Sequence, residues 1–210
     1  MLLSKQALEK RTALINKSKR VAFALEKATK LHFGQVRKAS EYSYMEHPIA
    51  VAYTLLIAGA SEELIMAGLL HDTVEDTTYT IEQLESDFGT SVAILVASNT
   101  EKKFNDDGSE RSWDDRKLDT IKGMPSKTSE EIMLLIADKL DNIVSLRHLA
   151  KTLESQGVEF TKYFKRGIHD QIWYFVEISK RINTKSEIPD YFRTYLEEVE
   201  EFVEEHKNRK

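Results

Sequence analysis

SEELIMAGLLHDTVED, Ser61–Asp76, runs from a serine and two glutamates through an apolar segment into four ionisable side chains. Its start is a helix start. Ser61 suits an N-cap, and Glu62 and Glu63 fall in the first turn, where the helix dipole favours acids. Leu64, Ile65, Met66, Leu69 and Leu70 then predict a helix buried against others. Carried on at about 100° per residue, the helix places His71 and Glu75 on one face and Asp72 and Asp76 on the neighbouring strip. All four therefore point into one sector. Carboxylates there are expensive to desolvate without a counter-charge. A divalent cation supplies one. His71 and Asp72 suit ligation, and Glu75 and Asp76 lie a turn further on, within reach for proton transfer. A helix-end polar cluster without metal is the plainer alternative.

Working outward, the pattern stays helical. Val21, Ala24, Leu25, Ala28 and Leu31 recur at helical spacing up to Gly34, and FGQVRKASEYSYMEHP reads as a loop. Pro48 is placed as the first residue of a buried helix, PIAVAYTLLIAG, closed by Gly59. Thr80 and Gln83 form a capping box for TIEQLESDFG, ended by Gly89. TSVAILVASNTEKK is taken as helix because its neighbours on both sides are helical. FNDDGSERS is an exposed loop, and Ser112 caps SWDDRKLDTIKGM. A long helix covers SKTSEEIMLLIADKLDNIVSLRHLAKTL, with Ile132, Leu135, Ile136, Leu140, Ile143 and Leu146 as its stripe. Two more follow, around 160–182 and 190–205, the last with an acidic face expected to be solvated. The expectation is one all-α domain over residues 1–210, with C-terminal helices over 158–206 packed on it.

Composition narrows the class. With 8 Gly and 3 Pro in 210 residues, turns are few. Cysteine is absent, so thiolate metal sites and disulfides are excluded. The N-terminus shows no long apolar stretch, and no run reaches membrane-spanning length. A net charge of −5 argues against general nucleic-acid binding. A cytoplasmic protein of open oligomeric state is expected.

Two further residues complete the candidate site. His47 precedes Pro48 at the mouth of a buried helix, and Asp138 interrupts the apolar IMLLIADKL. Each has a plainer alternative. His47 serves equally as a packed or capping residue, and Asp138 as a partner for Lys139 or Arg147 on its own helix.

The strings HFGQVRK, SYMEHPIAVAYTL, GLLHDTVEDT, FGTSVAILVASNTEKK, SWDDRK and ADKLDNI occur in an order that resembles the HD-domain phosphohydrolases. The likeness is strongest to small alarmone hydrolases and to the hydrolase domain of bifunctional guanosine tetraphosphate enzymes. It covers about 24–149. It implies a compact helical HD-domain fold and one metal, usually Mn²⁺, held by His47, His71, Asp72 and Asp138. It also implies that Glu75 and Asp76 position and activate water. Arg37 and Lys38, otherwise read as a solvated loop, match basic residues facing the substrate. Lys139, Asn142 and Ser145 match pocket positions. Mixed nitrogen and oxygen ligation fits Mn²⁺ while leaving Zn²⁺, Fe²⁺ and Co²⁺ open.

The expected activity is removal of the 3′-pyrophosphate from guanosine tetra- or pentaphosphate, the alarmone degradation of the stringent response. Its rivals are hydrolysis of another nucleotide phosphoester, such as a 5′-mononucleotide or a nicotinamide dinucleotide 2′-phosphate, and a catalytically silent nucleotide sensor. Intact Glu75 and Asp76 argue against the sensor. One position departs from the resemblance. Alarmone-type relatives usually carry Arg in ADKLxNxR where this chain has Val144, and Arg147 is the candidate replacement. A synthetase domain has no trace in these residues.

Overall fold

The computed structural model describes residues 2–182 and 189–207. Its elements in chain order are α1 (Lys5–Lys17), α2 (Lys19–Leu31), α3 (Glu46–Ile57), α4 (Glu62–Leu70), α5 (Thr73–Asp76) and α6 (Ile81–Phe88). α7 (Thr90–Asn99), α8 (Trp113–Gly123), α9 (Ser129–Ser155), α10 (Ile168–Ile182) and α11 (Asp190–His206) follow. Among the described residues β structure is limited to two isolated bridges, Val36 to Ser43 and Phe104 to Glu110. The all-α expectation holds. The chain resolves into two compact units, Met1–Asp138 and Lys139–Lys210.

Capping chemistry sets most boundaries. Ser61, Thr80 and Ser112 cap α4, α6 and α8 through their hydroxyls, and Thr80 with Gln83 makes the full capping box. Ser4 and Ser18 do the same for α1 and α2. Thr128 and Glu131 cap α9 reciprocally, two residues beyond the boundary expected from the sequence. α3 begins at Glu46 rather than Pro48. The first four N–H groups of a helix have no partner within it, so proline in the third place loses nothing. His47 thus lies inside the first turn. α7 ends at Asn99 instead of running through Lys103, because Thr100 turns extended at ψ 124°. α10 starts at Ile168, where the Gly167 N–H donates to the Asp170 carboxylate, and residues 160–162 form a separate short 3₁₀ turn.

In the first unit α4 is the centre. Every residue from Leu64 to Leu70 is buried, and α2, α3 and α7 pack around it. Gly68 permits the approach to α3. A Cβ there would lie 2.9 Å from Leu55 Cδ1 and 3.1 Å from Ala52 Cα. The contact matters for the site, because α3 carries His47 and the end of α4 carries His71.

In the second unit α10 and α11 pack through Phe175, Tyr195 and Phe202, and the Tyr195 hydroxyl donates to the Phe175 carbonyl at 2.9 Å. The acidic face of α11 is not merely solvated. Arg147 of α9 is buried and donates to Glu198, to Glu201 at 2.7 Å and to Glu205, whose carboxylate also meets Lys151 at 2.8 Å. The Arg147 and Lys151 cations hold Glu205 well below the usual range, at about 2.

Two predictions follow from this packing. Gly68→Ala gains about 1 kcal/mol in helix propensity, yet overpacking costs about 1–3 kcal/mol. A net loss of stability in urea denaturation is expected, and a stabilised variant would contradict the close α3–α4 contact. Arg147→Met lowers Tm at neutral pH. Because the folded-state value of Glu205 is depressed, its contribution is full above the ordinary value near 4.5 and fades as pH falls toward 2. The Tm gap between wild type and variant therefore narrows across that window, as thermal scans at stepped pH would read.

Candidate metal centre

α3, the α4–α5 junction and α9 bring four side chains of the first unit together. His47 Nε2 and His71 Nε2 lie 3.1 Å apart. Asp72 Oδ2 is 3.5 Å from the first and 3.1 Å from the second, and Asp138 Oδ1 is 3.3 Å and 3.8 Å away. All four side chains are mostly or wholly out of solvent, at 3%, 2%, 18% and 7% exposure. Ligands about 2.1 Å from one cation stand about 3.0–3.4 Å apart in octahedral or tetrahedral arrangements. The 3.1, 3.1 and 3.3 Å spacings fall in that range, and the 3.5 and 3.8 Å spacings lie just above it.

The chemistry of the donors agrees. His71 Nδ1 lies 2.9 Å from the Gly68 carbonyl, which only accepts, so Nδ1 carries a proton and Nε2 faces the cluster. A ring fixed through its far nitrogen is the usual arrangement of a metal-binding histidine. Burial opposes charge on His71, but Asp72, Asp138 and the Gly68 carbonyl outweigh it and push the imidazole up to about 9. Burial likewise opposes charge on Asp72, yet His71 and His47 hold it below the usual carboxylate range. The cluster demands positive charge, and a divalent metal competes with protons to supply it.

The helix does not run unbroken through this point. α4 stops at Leu70, and α5 begins at Thr73. The break is slight, since the Asp76 N–H still donates to the Asp72 carbonyl at 2.9 Å. Glu75 is half-buried beside the cluster. Its Oε2 accepts from the Glu101 N–H at 3.1 Å, and its carbonyl accepts from Lys103 at 2.9 Å. Burial, with Asp72 and Glu101 nearby, raises its proton affinity above the ordinary value. Asp76 Oδ1 pairs with Lys103 at 2.6 Å, and its carbonyl accepts from Gln35 at 3.1 Å.

Several of these partners were not legible as such in the sequence. Tyr44 donates to Asp72 and stands 3.5 Å from Asp76. Burial and the two acids keep its phenol protonated. Its ring packs on His32, whose Nδ1 meets Gln35 Oε1 at 2.8 Å. The signal was present in HFGQVRK, SYMEHP and SNTEKK, but a loop tyrosine or lysine has no period to betray its direction.

The remaining expected residues are more scattered in character. Arg37 and Lys38 sit in the tight turn where the Arg37 N–H donates to the Tyr42 carbonyl and the Ser40 N–H to the Arg37 carbonyl. Asp138 faces the two histidines, and of its two expected alternative partners Arg147 is engaged by α11. In the second unit Lys139 lies over the Tyr174 ring, 5.7 Å from its centroid, while Asn142 and Ser145 are half-buried on α9. Val144 is 44% exposed.

The HD-domain family profile matches residues 24–162. The chain belongs to the HD-domain family. It is 33% identical over 171 residues to a Synechocystis protein named probable guanosine-3′,5′-bis(diphosphate) 3′-pyrophosphohydrolase, covering 80% of this chain and 21% of that one. It is 35% identical over 134 residues to a Streptomyces coelicolor GTP pyrophosphokinase, covering 61% and 15%. The chain thus matches only a small part of these curated relatives. Among solved structures it resembles a Listeria monocytogenes EGD-e protein, with TM-score 0.66, 37% identity and coverage of 80% of this chain and 99% of the other. It also resembles a metazoan ortholog of SpoT that hydrolyzes ppGpp, with TM-score 0.68, 25% identity and coverage of 90% and 96%. Among the described residues no helix is long and apolar enough to cross a membrane.

His71→Ala and Asp138→Ala are each expected to abolish stoichiometric metal, measured by elemental analysis after dialysis. Undiminished metal in both variants would remove the cluster as the binding site.

Proposed function

We propose that this chain hydrolyses guanosine tetra- or pentaphosphate at the 3′ position in a Mn²⁺-dependent reaction. The observation that carries the proposal is the His47, His71, Asp72 and Asp138 cluster with Glu75 and Asp76 fastened at its side. The named activities of the Synechocystis relative and the metazoan SpoT ortholog support the same substrate. Two imidazoles and two carboxylates suit Mn²⁺ and leave positions open on a cation that takes six ligands. When bound, the metal polarises a phosphoryl oxygen and acidifies water.

The protein's own groups do the rest. Glu75, half-buried with raised proton affinity, accepts the proton of the attacking water. Asp76 orients that water or Glu75. The water oxygen bonds to the phosphorus on ribose O3′, the P–O3′ bond breaks, and O3′ takes a proton from solvent. Pyrophosphate and the 5′-nucleotide leave. Arg37 offers a planar fork to phosphate oxygens, and Lys38 a second cation. Lys139, Asn142 and Ser145 are assigned to the nucleotide. The substrate is a small-molecule nucleotide, the compartment the cytoplasm.

One observation favours a second reading, hydrolysis of a different nucleotide phosphoester with the same machinery. Val144 stands where alarmone-type relatives carry arginine, and Arg147 is committed to Glu198, Glu201 and Glu205 and does not replace it. A lost charge-assisted hydrogen bond is worth about 1.5–3 kcal/mol, or about ten- to a hundred-fold in affinity.

Product analysis across a panel of phosphorylated nucleotides with Mn²⁺ separates the readings. Pyrophosphate and guanosine diphosphate in equal amounts from the tetraphosphate are expected. Glu75→Gln keeps its metal and loses about 10²-fold or more in kcat, whereas near-normal turnover would move the proton transfer to Asp76. Val144→Arg lowers KM for the tetraphosphate. An unmoved KM, with faster turnover of another nucleotide, would establish the second reading.

A further inference from the structure

Lys103 lies outside the metal cluster and outside every helix, yet three acceptors of the proposed catalytic pair converge on it. Its ammonium is 2.6 Å from Asp76 Oδ1, 2.9 Å from the Glu75 carbonyl and 3.5 Å from Glu75 Oε1. An ammonium has three protons. The lysine is itself held from behind. Thr100 ends α7, and its hydroxyl bonds back to the Val96 carbonyl at 2.9 Å. The Glu101 N–H then reaches Glu75, while the Glu101 carboxylate is locked by Arg116 at 3.2 Å and Lys117 at 2.5 Å. The Lys103 carbonyl accepts from the Arg111 N–H at 2.8 Å across the Phe104–Glu110 bridge. The segment 100–103 is therefore built to present one backbone N–H and one ammonium to Glu75 and Asp76.

Electrostatics give the ammonium a task. Asp72, Glu75, Asp76 and Asp138 bring four carboxylates close to one cation site. Carboxylates on short tethers beside a divalent metal are natural ligands for it. Were Glu75 or Asp76 to swing in, the open positions that water and substrate need would be filled. We propose that Lys103 is a positioning residue, its ammonium clamping Asp76 and Glu75 together so that both carboxylates stay off the metal and turned toward the reacting water. This rests on the roles given above to Glu75 and Asp76. A half-exposed ion pair contributes little to stability. Removing Lys103 should therefore spare the fold and strike turnover.

The test compares Lys103→Met and Lys103→Arg with wild type, using Mn²⁺ and guanosine tetraphosphate. Lys103→Met is expected to lower kcat about 10²-fold, with KM within a few-fold, metal stoichiometry retained and Tm nearly unchanged. Lys103→Arg recovers about ten-fold of that loss. A crystal structure of Lys103→Met should show the Asp76 carboxylate displaced while His47, His71 and Asp138 stay in place. A kcat within two-fold of wild type, or activity lost only in step with metal or Tm, would overturn the assignment. Should wild type leave guanosine tetraphosphate uncleaved, the proposed function fails, and the crystal comparison still decides the clamp: Glu75 and Asp76 unmoved in Lys103→Met overturns it.

Discussion

Two imidazoles and two carboxylates gathered at the end of a fully buried helix are the constraint on which the structure turns. α4 is apolar on every side and out of water from Leu64 to Leu70. It ends where two imidazole nitrogens stand 3.1 Å apart, each 3.1–3.8 Å from one oxygen of Asp72 and one of Asp138. Such a group of charges is stable only if a cation or protons balance it. The helices around it are arranged to keep that balance specific. Gly68 draws α4 against α3, so that His47 meets His71, and its carbonyl fixes the tautomer of His71. One small residue sets both the packing distance and the direction in which His71 Nε2 points.

Around this core the polar side chains form a graded series. Asp72 is tied to Tyr44, Asp76 to Lys103 and Gln35, and Glu75 to the Glu101 N–H. Asp72, facing the histidines, is lowered in proton affinity by them, whereas Glu75, half-buried next to other acids, gains it. Environment alone thus gives chemically similar acids opposite proton affinities. The second unit treats charge differently. There Arg147 gathers Glu198, Glu201 and Glu205 and holds α9 to α11.

The helical fold was legible in the sequence because it obeys periods and local capping rules, whereas the grouping of His47, His71, Asp72 and Asp138 came from the resemblance in motif order. Ser61, Thr80 with Gln83, and Ser112 announce helix starts through hydroxyl chemistry. An acid inside IMLLIADKL is conspicuous against an apolar stripe. The misplaced boundaries have physical reasons. Proline is as harmless at the third helical position as at the first, so Pro48 did not mark the start of α3. β-branched Thr100 looked like one more helical residue and instead turns the chain toward Glu75. Tyr44, Gln35 and Lys103 lie in loops, where direction is fixed by tertiary contacts that no spacing encodes. The acidic face of α11 looked solvated because its partner, Arg147, is some fifty residues away.

The central claim is that one cation satisfies all four ligand groups at once. Anomalous diffraction at the manganese edge from crystals grown with Mn²⁺ tests it most directly. The account predicts a single anomalous peak within ordinary ligand distance of His47 Nε2, His71 Nε2, Asp72 and Asp138, with Glu75 and Asp76 outside that distance. A cluster free of anomalous density at saturating Mn²⁺, or a peak held by Glu75 and Asp76 instead, would contradict it.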